Sequence, residues 1–316
     1  MLESFRTANG PEWIADGFRF LGPEETRKRR EILEIFSKFL EQKSYKEVIL
    51  PSFDYTSTFE TYLRKEEFGS IFSTKDIEGN RISPPTDLTV LALKGMGGIS
   101  KKEREARIYY TSQKIRDVHP KLGLQKETWQ LGAERIGETN FLDLAKEILD
   151  LWNALQRKEK LHVVVSHTSI LESLVATSQV PKEKLGIFFK LIKEKNVPEL
   201  ENFFRAFRFP EEVSKFIRDR ILKVSLKDWT SLKSSEFFSQ ELLDTLKKLE
   251  SVSETFLFDL GIVTDLEFYS GFLFKGFLES HPESIVIGGE YHTVYKKYNQ
   301  VDMPCMGYAW NIESLE

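Results

Sequence analysis

The sequence predicts an α+β protein in which a mostly antiparallel sheet is flanked by helices and interrupted by a helical block. Two runs of strand-forming residues, 105–118 and 127–136, lie on either side of a short loop and are typical of an antiparallel hairpin. Strand patterns resume at Phe256. Between about Thr168 and Ser251, apolar residues recur only at helical spacing.

Local sequence patterns predict the helices and strands of the first third of the chain. Pro23 fits the first turn of a long helix with an apolar stripe. A strand is expected at 47–50, before a proline that ends it. A short hairpin should turn around 78–80. Thr86 can cap a helix that runs to about Leu93.

The remaining elements divide the chain into a core with an insert. Asn140 is placed to cap an amphipathic helix, and 161–166 reads as a buried strand. We expect the many phenylalanines of the helical block to form its own core rather than a partner surface. The expected units are a first core part at 1–167, an inserted helical subdomain at 168–250, and a second core part at 251–316.

Composition excludes several classes of protein. The 316 residues include 45 Lys and Arg against 49 Asp and Glu, a net charge of −4, which argues against binding long nucleic acid by bulk charge. The single cysteine, Cys305, excludes an internal disulfide. No apolar run approaches the roughly 20 residues of a membrane span, and we expect no signal peptide, because the first residues lack its hydrophobic core. We expect a cytoplasmic protein that does not contact a membrane.

Motifs for common cofactors and nucleophiles are missing from the sequence. The five histidines lack the spacing of a zinc site, and no phosphate-binding glycine loop occurs, so we expect no metal and no cofactor. Ser166 and His167 lack the Gly-x-Ser-x-Gly turn of a serine nucleophile. His162 and His167, which flank one strand, are expected to be structural.

Polar side chains alternate along the second strand of the long hairpin. Gln130, Gly132 and Glu134 point to one sheet face because side chains alternate along a strand. Gly132 should leave room for a ligand between its polar neighbours. With Asp87 nearby, this face suits a small cation such as an ammonium or imidazolium. A polar strand face exposed to water explains the spacing equally well.

The order of these motifs resembles that of class II aminoacyl-tRNA synthetases, and of histidyl-tRNA synthetases most closely, over 17–315. The resemblance implies a class II synthetase-like core. It is carried by five strings, namely the helix that ends in Val48-Ile49-Leu50-Pro51, the hairpin from Tyr109 to Gly137, the segment Leu266 to Gly271, the segment Ile287 to Tyr291, and the segment Asp302 to Leu315.

Departures from the family's motifs fall on its catalytic residues. Ser314 stands where the third motif has an ATP-binding arginine, and Thr264 replaces the arginine of the histidine-recognition signature. Glu267 replaces the aspartate of that signature. Losing one preorganised cation costs a factor of about 10²–10³ in rate, so the resemblance does not imply an active synthetase. No C-terminal anticodon-binding domain and no tRNA partner are expected.

The degenerate motifs resemble those of a synthetase-like group without aminoacylation activity, the regulatory subunits of ATP phosphoribosyltransferase. This resemblance implies a non-catalytic subunit that activates a short catalytic subunit in the first step of histidine biosynthesis and takes part in feedback inhibition by histidine. It also implies a homodimer formed through the first motif, within a hetero-oligomer. The alternatives are a minimal class II ligase that activates an amino acid or other carboxylate with ATP, and an amino-acid-sensing module with another partner.

The resemblance also assigns a hypothetical pocket for a histidine-like ligand. By position, Asp87, Thr89 and Gln130 would hold its α-amino group, and Glu134 and Tyr269 would face the imidazole. Arg116 and Glu313 are remnants of the family's nucleotide site, whereas Thr264 and Ser314 are its degenerate positions.

Overall fold

Eleven strands occur in the part of the chain that the computed structural model describes, which is residues 14–63, 65–99, 105–118, 125–223, 238–263 and 268–316. In chain order they are β1 (Lys46–Glu47), β2 (Asp54–Tyr55), β3 (Thr74–Lys75), β4 (Arg81–Ser83), β5 (Ala106–Ile115), β6 (Glu127–Ile136), β7 (His162–His167), β8 (Phe256–Phe258), β9 (Phe272–Leu278), β10 (His281–Glu290) and β11 (Cys305–Asn311).

The same residues contain ten α-helices. They are α1 (Pro23–Gln42), α2 (Thr56–Glu60), α3 (Leu88–Ile99), α4 (Phe141–Ala154), α5 (Thr168–Ala176), α6 (Leu185–Lys193), α7 (Val197–Ala206), α8 (Glu211–Phe216), α9 (Gln240–Val252) and α10 (Thr293–Asn299). In the described part of the chain, none of these helices is long and apolar enough to cross a membrane.

The strands form an eight-stranded sheet in the order β1-β5-β6-β11-β10-β9-β7-β8 and a small sheet in the order β2-β4-β3. Only the two edge pairs of the large sheet, β1 with β5 and β7 with β8, are parallel. The predicted long hairpin is β5 and β6, and the short one is β3 and β4. The prediction of a mostly antiparallel sheet flanked by helices is therefore confirmed.

Helices cover both faces of the large sheet. One face packs against α1 and α4, with Phe36 and Trp310 fully buried between them. A stacked pair of indoles, Trp152 on α4 and Trp310 on β11, extends this core. The other face packs against α3 and α10, through Leu93 and Val294 among others. This second face carries the cavity described below.

A buried ion network joins β6 to α4. The guanidinium of Arg135 donates hydrogen bonds to Glu147 at 2.6 Å, to Asp143 at 2.8 Å and to the hydroxyl of Tyr45 at 2.7 Å. Tyr308 also donates to Glu147, at 2.9 Å. Buried charges are tolerated when they are paired and hydrogen-bonded in this way. The network fixes α4 against the sheet.

The helices from α5 to α9 share the core of the first sheet face. Phe188, Phe203 and Phe204 are buried there, so these phenylalanines do form core, but the core is shared with the sheet and is not the block's own. Phe189, Phe207 and Phe238 are partly buried against the same cluster, whereas Phe237 lies outside the described residues. The boundaries of an inserted subdomain at 168–250 stay a prediction.

Two local predictions differ from the structure. The side chain that caps α3 is Asp87, which accepts a hydrogen bond from the backbone N–H of Val90 at 3.0 Å, so the prediction of a Thr86 cap is wrong. The Thr86 hydroxyl is buried and has no hydrogen-bond partner among the described residues. The strand expected at 47–50 covers only Lys46–Glu47, although Val48 still donates to the carbonyl of Tyr109.

Candidate ligand site

A small cavity lies on the second face of the large sheet, beside the first turn of α3. Its volume is about 140 Å³, which suits a small metabolite rather than a large ligand. The floor comes from β5, β6, β9, β10 and β11, and the segment 268–269 and Tyr291 supply further walls. Its lining residues are Asp87, Leu88, Thr89, Lys114, Arg116, Gln130, Phe268, Tyr269, Lys275, Ile287, Gly288, Tyr291, Gly307, Tyr308 and Ala309.

Four of the five residues predicted for a histidine-like ligand line this cavity. Asp87 and Thr89 reach it from the start of α3, Gln130 from β6, and Tyr269 from the segment before β9. Gln130 and Tyr269 meet because β6 and β9 belong to one sheet, in which β11 and β10 lie between them. Which ligand groups these side chains would contact stays a prediction.

The fifth predicted residue, Glu134, lies beneath the cavity. Its side chain is completely buried and is not among the lining residues. It accepts hydrogen bonds from the hydroxyl of Tyr110, at 2.8 Å, and from the hydroxyl of Tyr291. Burial raises the pKa of the Glu134 carboxyl well above its ordinary value. Glu134 therefore reaches the cavity through Tyr291, which lines it.

The expectation that Gly132 leaves room for a ligand is wrong. Tyr110 stands opposite Gly132 in the β5–β6 pair, and a Cβ at Gly132 would lie 2.2 Å from the Tyr110 ring. The tyrosine, not a ligand, fills the space above this glycine. Thr89 lies 3.4 Å from the same hydroxyl that binds Glu134. The polar residues of β6 and α3 are thus joined by Tyr110.

Three cationic side chains also line the cavity. Arg116 was predicted as a remnant of the nucleotide site, whereas Lys114 and Lys275 were not singled out from the sequence. Lys114 could have been found, since it lies two residues before Arg116 on a predicted strand and so shares its face. Lys275 gave no such signal, because nothing local to β9 places it beside α3. Tyr291 was part of a quoted motif, but its contact with Glu134 depends on the fold.

The remnant position Glu313 has a structural role outside the cavity. It does not line the cavity, and its carboxylate accepts from the backbone N–H of Trp129 at 3.0 Å and from Arg29 at 3.1 Å. Burial raises the pKa of Glu313, although these donors oppose the rise. Ser314 lies in the same short 3₁₀ turn. The degenerate positions Thr264 and Glu267 lie outside the described residues.

Comparison with known proteins shows the class of this fold. The family described as histidyl-tRNA synthetase matches residues 17–315. The crystal structure of an ATP phosphoribosyltransferase regulatory subunit/histidyl-tRNA synthetase from Bacillus halodurans superposes with a TM-score of 0.81 at 19% identity, over 97% of this chain and 83% of that one. The chain thus has the class II fold of histidyl-tRNA synthetases.

Two curated relatives refine this assignment. The ATP phosphoribosyltransferase regulatory subunit of Leptospira interrogans is 32% identical and aligns over 100% of this chain and 96% of its own length. The histidine–tRNA ligase of Pyrobaculum arsenaticum is 24% identical, over 95% of this chain and 73% of its own length. Within the histidyl-tRNA synthetase fold, the chain belongs to the family of ATP phosphoribosyltransferase regulatory subunits.

Proposed function

We propose that this chain is the regulatory subunit of an ATP phosphoribosyltransferase and acts in histidine biosynthesis. The observation that carries this proposal is the full-length similarity to the Leptospira regulatory subunit, at 32% identity. The proposed partner is a short catalytic subunit, which joins ATP to phosphoribosyl pyrophosphate, and the proposed place of action is the cytoplasm. In this role the chain does no covalent chemistry of its own.

The loss of the third-motif arginine supports a non-catalytic role. Adenylation places developing negative charge on phosphate oxygens, and preorganised cations must stabilise it. Ser314 cannot supply such a cation, and Glu313 is held by Arg29 and the backbone of Trp129. One lost donor of this kind costs a factor of about 10²–10³ in rate. Aminoacylation activity is therefore not expected.

A reconstitution assay tests the proposed function. The short catalytic subunit from the same organism should gain ATP phosphoribosyltransferase activity when the purified chain is added, and the two should co-purify. Activity that is unchanged at saturating amounts of the chain would contradict the proposal. In that case a synthetase-like sensing module with another partner would be the better assignment.

Feedback inhibition by histidine is the regulatory part of the proposal. In this part, histidine binds in the cavity beside α3, with Asp87, Thr89 and Gln130 near its amino group and Tyr269 near its imidazole. The ligand must prefer one state of the complex, and a coupling of about 1–3 kcal/mol would suffice. Calorimetry with histidine should show binding to the isolated chain or to the complex. If calorimetry shows no binding of histidine to the isolated chain or to the complex, the assignment of histidine to this cavity is wrong.

A minimal ligase is the second candidate function. It is favoured by the relative named histidine–tRNA ligase and by Arg116, which still lines the cavity. Amino-acid-dependent exchange between ATP and pyrophosphate separates the two candidates. We expect no exchange above background with any of the twenty amino acids, whereas exchange with one of them would favour the ligase.

A homodimer completes the proposed assembly. Near the end of the first motif, an apolar side chain lies in solvent, since Ile49 is 95% exposed. Phe20, Phe53 and Tyr55 are also exposed. Contiguous exposed apolar surface is typical of a site that a partner covers. In the proposal the partner is a second copy of this chain.

A further inference from the structure

A buried carboxyl group lies next to the cavity without a cation beside it. Glu134 is completely buried, and in the described part of the chain its hydrogen-bond donors are hydroxyl groups alone. An ionised carboxylate in such a place is unfavourable unless a positive charge accompanies it. Burial raises the pKa of Glu134 well above its ordinary value, which favours the protonated form in the free chain. A ligand in the cavity could supply the positive charge.

The titratable groups that face Glu134 from the surrounding elements are all acids. They are Tyr110 on β5, Asp87 at the start of α3, Tyr269 before β9, Tyr291 after β10 and Cys305 on β11. Carboxyl, phenol and thiol groups are neutral or negative and never carry a positive charge. The surroundings of Glu134 therefore favour a cation as its partner.

Hydroxyl groups connect Glu134 to the cavity at two points. Tyr291 donates to Glu134 and lines the cavity, and Gly307 leaves room for this contact. On the other side Tyr110 donates to Glu134 at 2.8 Å. The Tyr110 hydroxyl lies 3.4 Å from that of Thr89, which also lines the cavity. A ligand can thus bind to both ends of one chain of hydrogen bonds.

The number of protons in this chain decides what it offers to a ligand. Three contacts join its four side chains, which are Thr89, Tyr110, Glu134 and Tyr291, and each hydroxyl supplies one proton. With Glu134 ionised, the three contacts use all three protons, so Thr89 and Tyr291 offer only lone pairs to the cavity. With Glu134 protonated, a fourth proton is left over and points into the cavity from one end. The ionised chain therefore binds N–H donors at both ends.

The arginine of the cavity is held beside Asp87 rather than beside Glu134. The guanidinium of Arg116 approaches the carbonyl of Thr86, the residue before Asp87, at 3.4 Å. Tyr110, which binds Glu134, lies six residues before Arg116, or about 20 Å along an extended strand. Arg116 therefore compensates Asp87 and leaves Glu134 without a cation.

The two lysines of the cavity are also anchored away from Glu134. Each takes part in interactions of its own. Lys114 pairs with Thr128, which is six residues from Glu134 along β6, or about 20 Å. Lys275 lies on β9, three strand spacings from β6, or about 14 Å across the sheet. A cationic ligand is thus better placed than these lysines to balance the charge of Glu134.

We propose that the ligand binds as an imidazolium that donates to Tyr291, and that Glu134 is ionised in the complex. This inference rests on the histidine site of the proposed function. An imidazole beside Tyr269 is within reach of Tyr291, since the centroids of the two rings lie 6.1 Å apart. The proton of Glu134 passes to the Tyr291 oxygen while the Tyr291 hydroxyl proton passes to the imidazole nitrogen, so no further reactant is needed. Glu134 is then a positioning residue, which supplies a charge without touching the ligand.

Nuclear magnetic resonance of histidine labelled with ¹⁵N in its ring tests this inference. At pH 8 free histidine has a neutral ring, because the ordinary pKa of its imidazole is about 6.5. Bound to the native chain at this pH, its two ring nitrogens should have the similar chemical shifts of an imidazolium. In Glu134→Gln and in Tyr291→Phe the bound ring should be neutral. Its affinity should fall by a factor of about 10–100, which corresponds to one hydrogen bond to a charged group.

Glu290→Gln is the matched control for the loss of a carboxyl group. Glu290 is partly buried, burial raises its pKa, and it does not line the cavity. This variant should leave both the imidazolium and the affinity for histidine unchanged. Loss of the imidazolium in Glu290→Gln as well would overturn the inference.

The other outcomes separate this inference from the proposed function. A neutral ring in the native complex overturns the inference, and this measurement does not depend on a variant that folds. An imidazolium retained in Glu134→Gln also overturns it, because another group would then balance the charge. Absence of histidine binding to the native chain overturns it too, whereas activation of the catalytic subunit would leave the regulatory role intact.

Discussion

At the scale of single residues, two glycines make room for the buried polar groups next to the cavity. Gly132 admits the ring of Tyr110, and Gly307 admits the carboxylate of Glu134 together with the hydroxyl of Tyr291. A Cβ at Gly307 would lie 2.1 Å from Glu134 Oε2 and 2.2 Å from Tyr291 Oη. The backbone carbonyl of Ala133 would lie 2.4 Å away, so side-chain movement alone would not relieve the contact. A buried polar cluster thus depends on the absence of one methyl group.

Gly307→Ala should therefore destabilise the protein. Overpacking of a well-filled site costs about 1–3 kcal/mol, and here the added methyl group meets main chain as well as polar side chains. Urea unfolding measures the change in the free energy of unfolding. Gly186→Ala is the matched control, because a Cβ at Gly186 in α6 meets nothing within 4 Å and alanine favours a helix by about 1 kcal/mol. A Gly307→Ala variant as stable as the native chain would contradict the described packing.

At the scale of elements, a histidine joins the end of β7 to the start of α5. His167 caps α5, since its Nδ1 accepts from the backbone N–H of Ser169 at 3.2 Å. Its ring packs edge-on against Phe272 with centroids 4.7 Å apart. Burial lowers the pKa of His167 from its ordinary value of 6.5 to about 4. The expectation that this histidine is structural is confirmed, and the cap requires its neutral form.

The titration of His167 should make stability depend on pH. Its pKa is lower in the folded state than in the unfolded state, so protons bind preferentially to the unfolded chain as the pH falls below about 6.5. The contribution is present above that pH and is lost toward pH 4. Between pH 7 and pH 5 this group alone should remove about 2 kcal/mol from the free energy of unfolding.

His167→Asn isolates this effect, because asparagine caps helices but does not titrate. Urea unfolding of both proteins at pH 7 and pH 5 gives the measurement. The native chain should lose about 2 kcal/mol more than the variant over this interval. Equal losses would mean that His167 is protonated alike in the folded and unfolded states.

At the scale of the whole molecule, exposed apolar residues follow the edge strand β1 of the large sheet. β1 is an edge strand, and Ile49 follows it in full contact with solvent. Phe18, Phe53 and Phe72 line an open groove of about 500 Å³ on the same part of the chain. Monomeric proteins seldom leave large contiguous apolar patches in water. This surface is where the proposed homodimer would form.

Ile49→Asp should therefore separate the proposed dimer. A carboxylate in an apolar contact must lose its hydration without gaining a partner, which is unfavourable. Sedimentation equilibrium over a range of protein concentrations should show a native dimer and a largely monomeric variant. Ile187→Asp is the control, because Ile187 is an exposed isoleucine on α6, away from this surface. A monomeric native chain, or a variant as dimeric as the control, would contradict the predicted interface.

Most elements of the fold could be predicted because their signals are local. The proline at Pro23, the cap at Asn140 and the period-two pattern of the long hairpin each act within a few residues, and the structure confirms all three. The order of polar motifs along the chain was enough for the family resemblance, and four residues of the predicted pocket do line one cavity. Errors arose where two local signals competed, as at Thr86 and Asp87.

The sequence by itself determined the class of fold, its family, and the loss of the arginine at Ser314, because these depend on residue types in a given order. Only the tertiary structure decided that Tyr110 fills the space over Gly132, that Glu134 lies beneath the cavity, and that Lys275 lines it. These facts depend on strand order and register. Both are set by contacts between segments far apart in the chain, so no local pattern contains them.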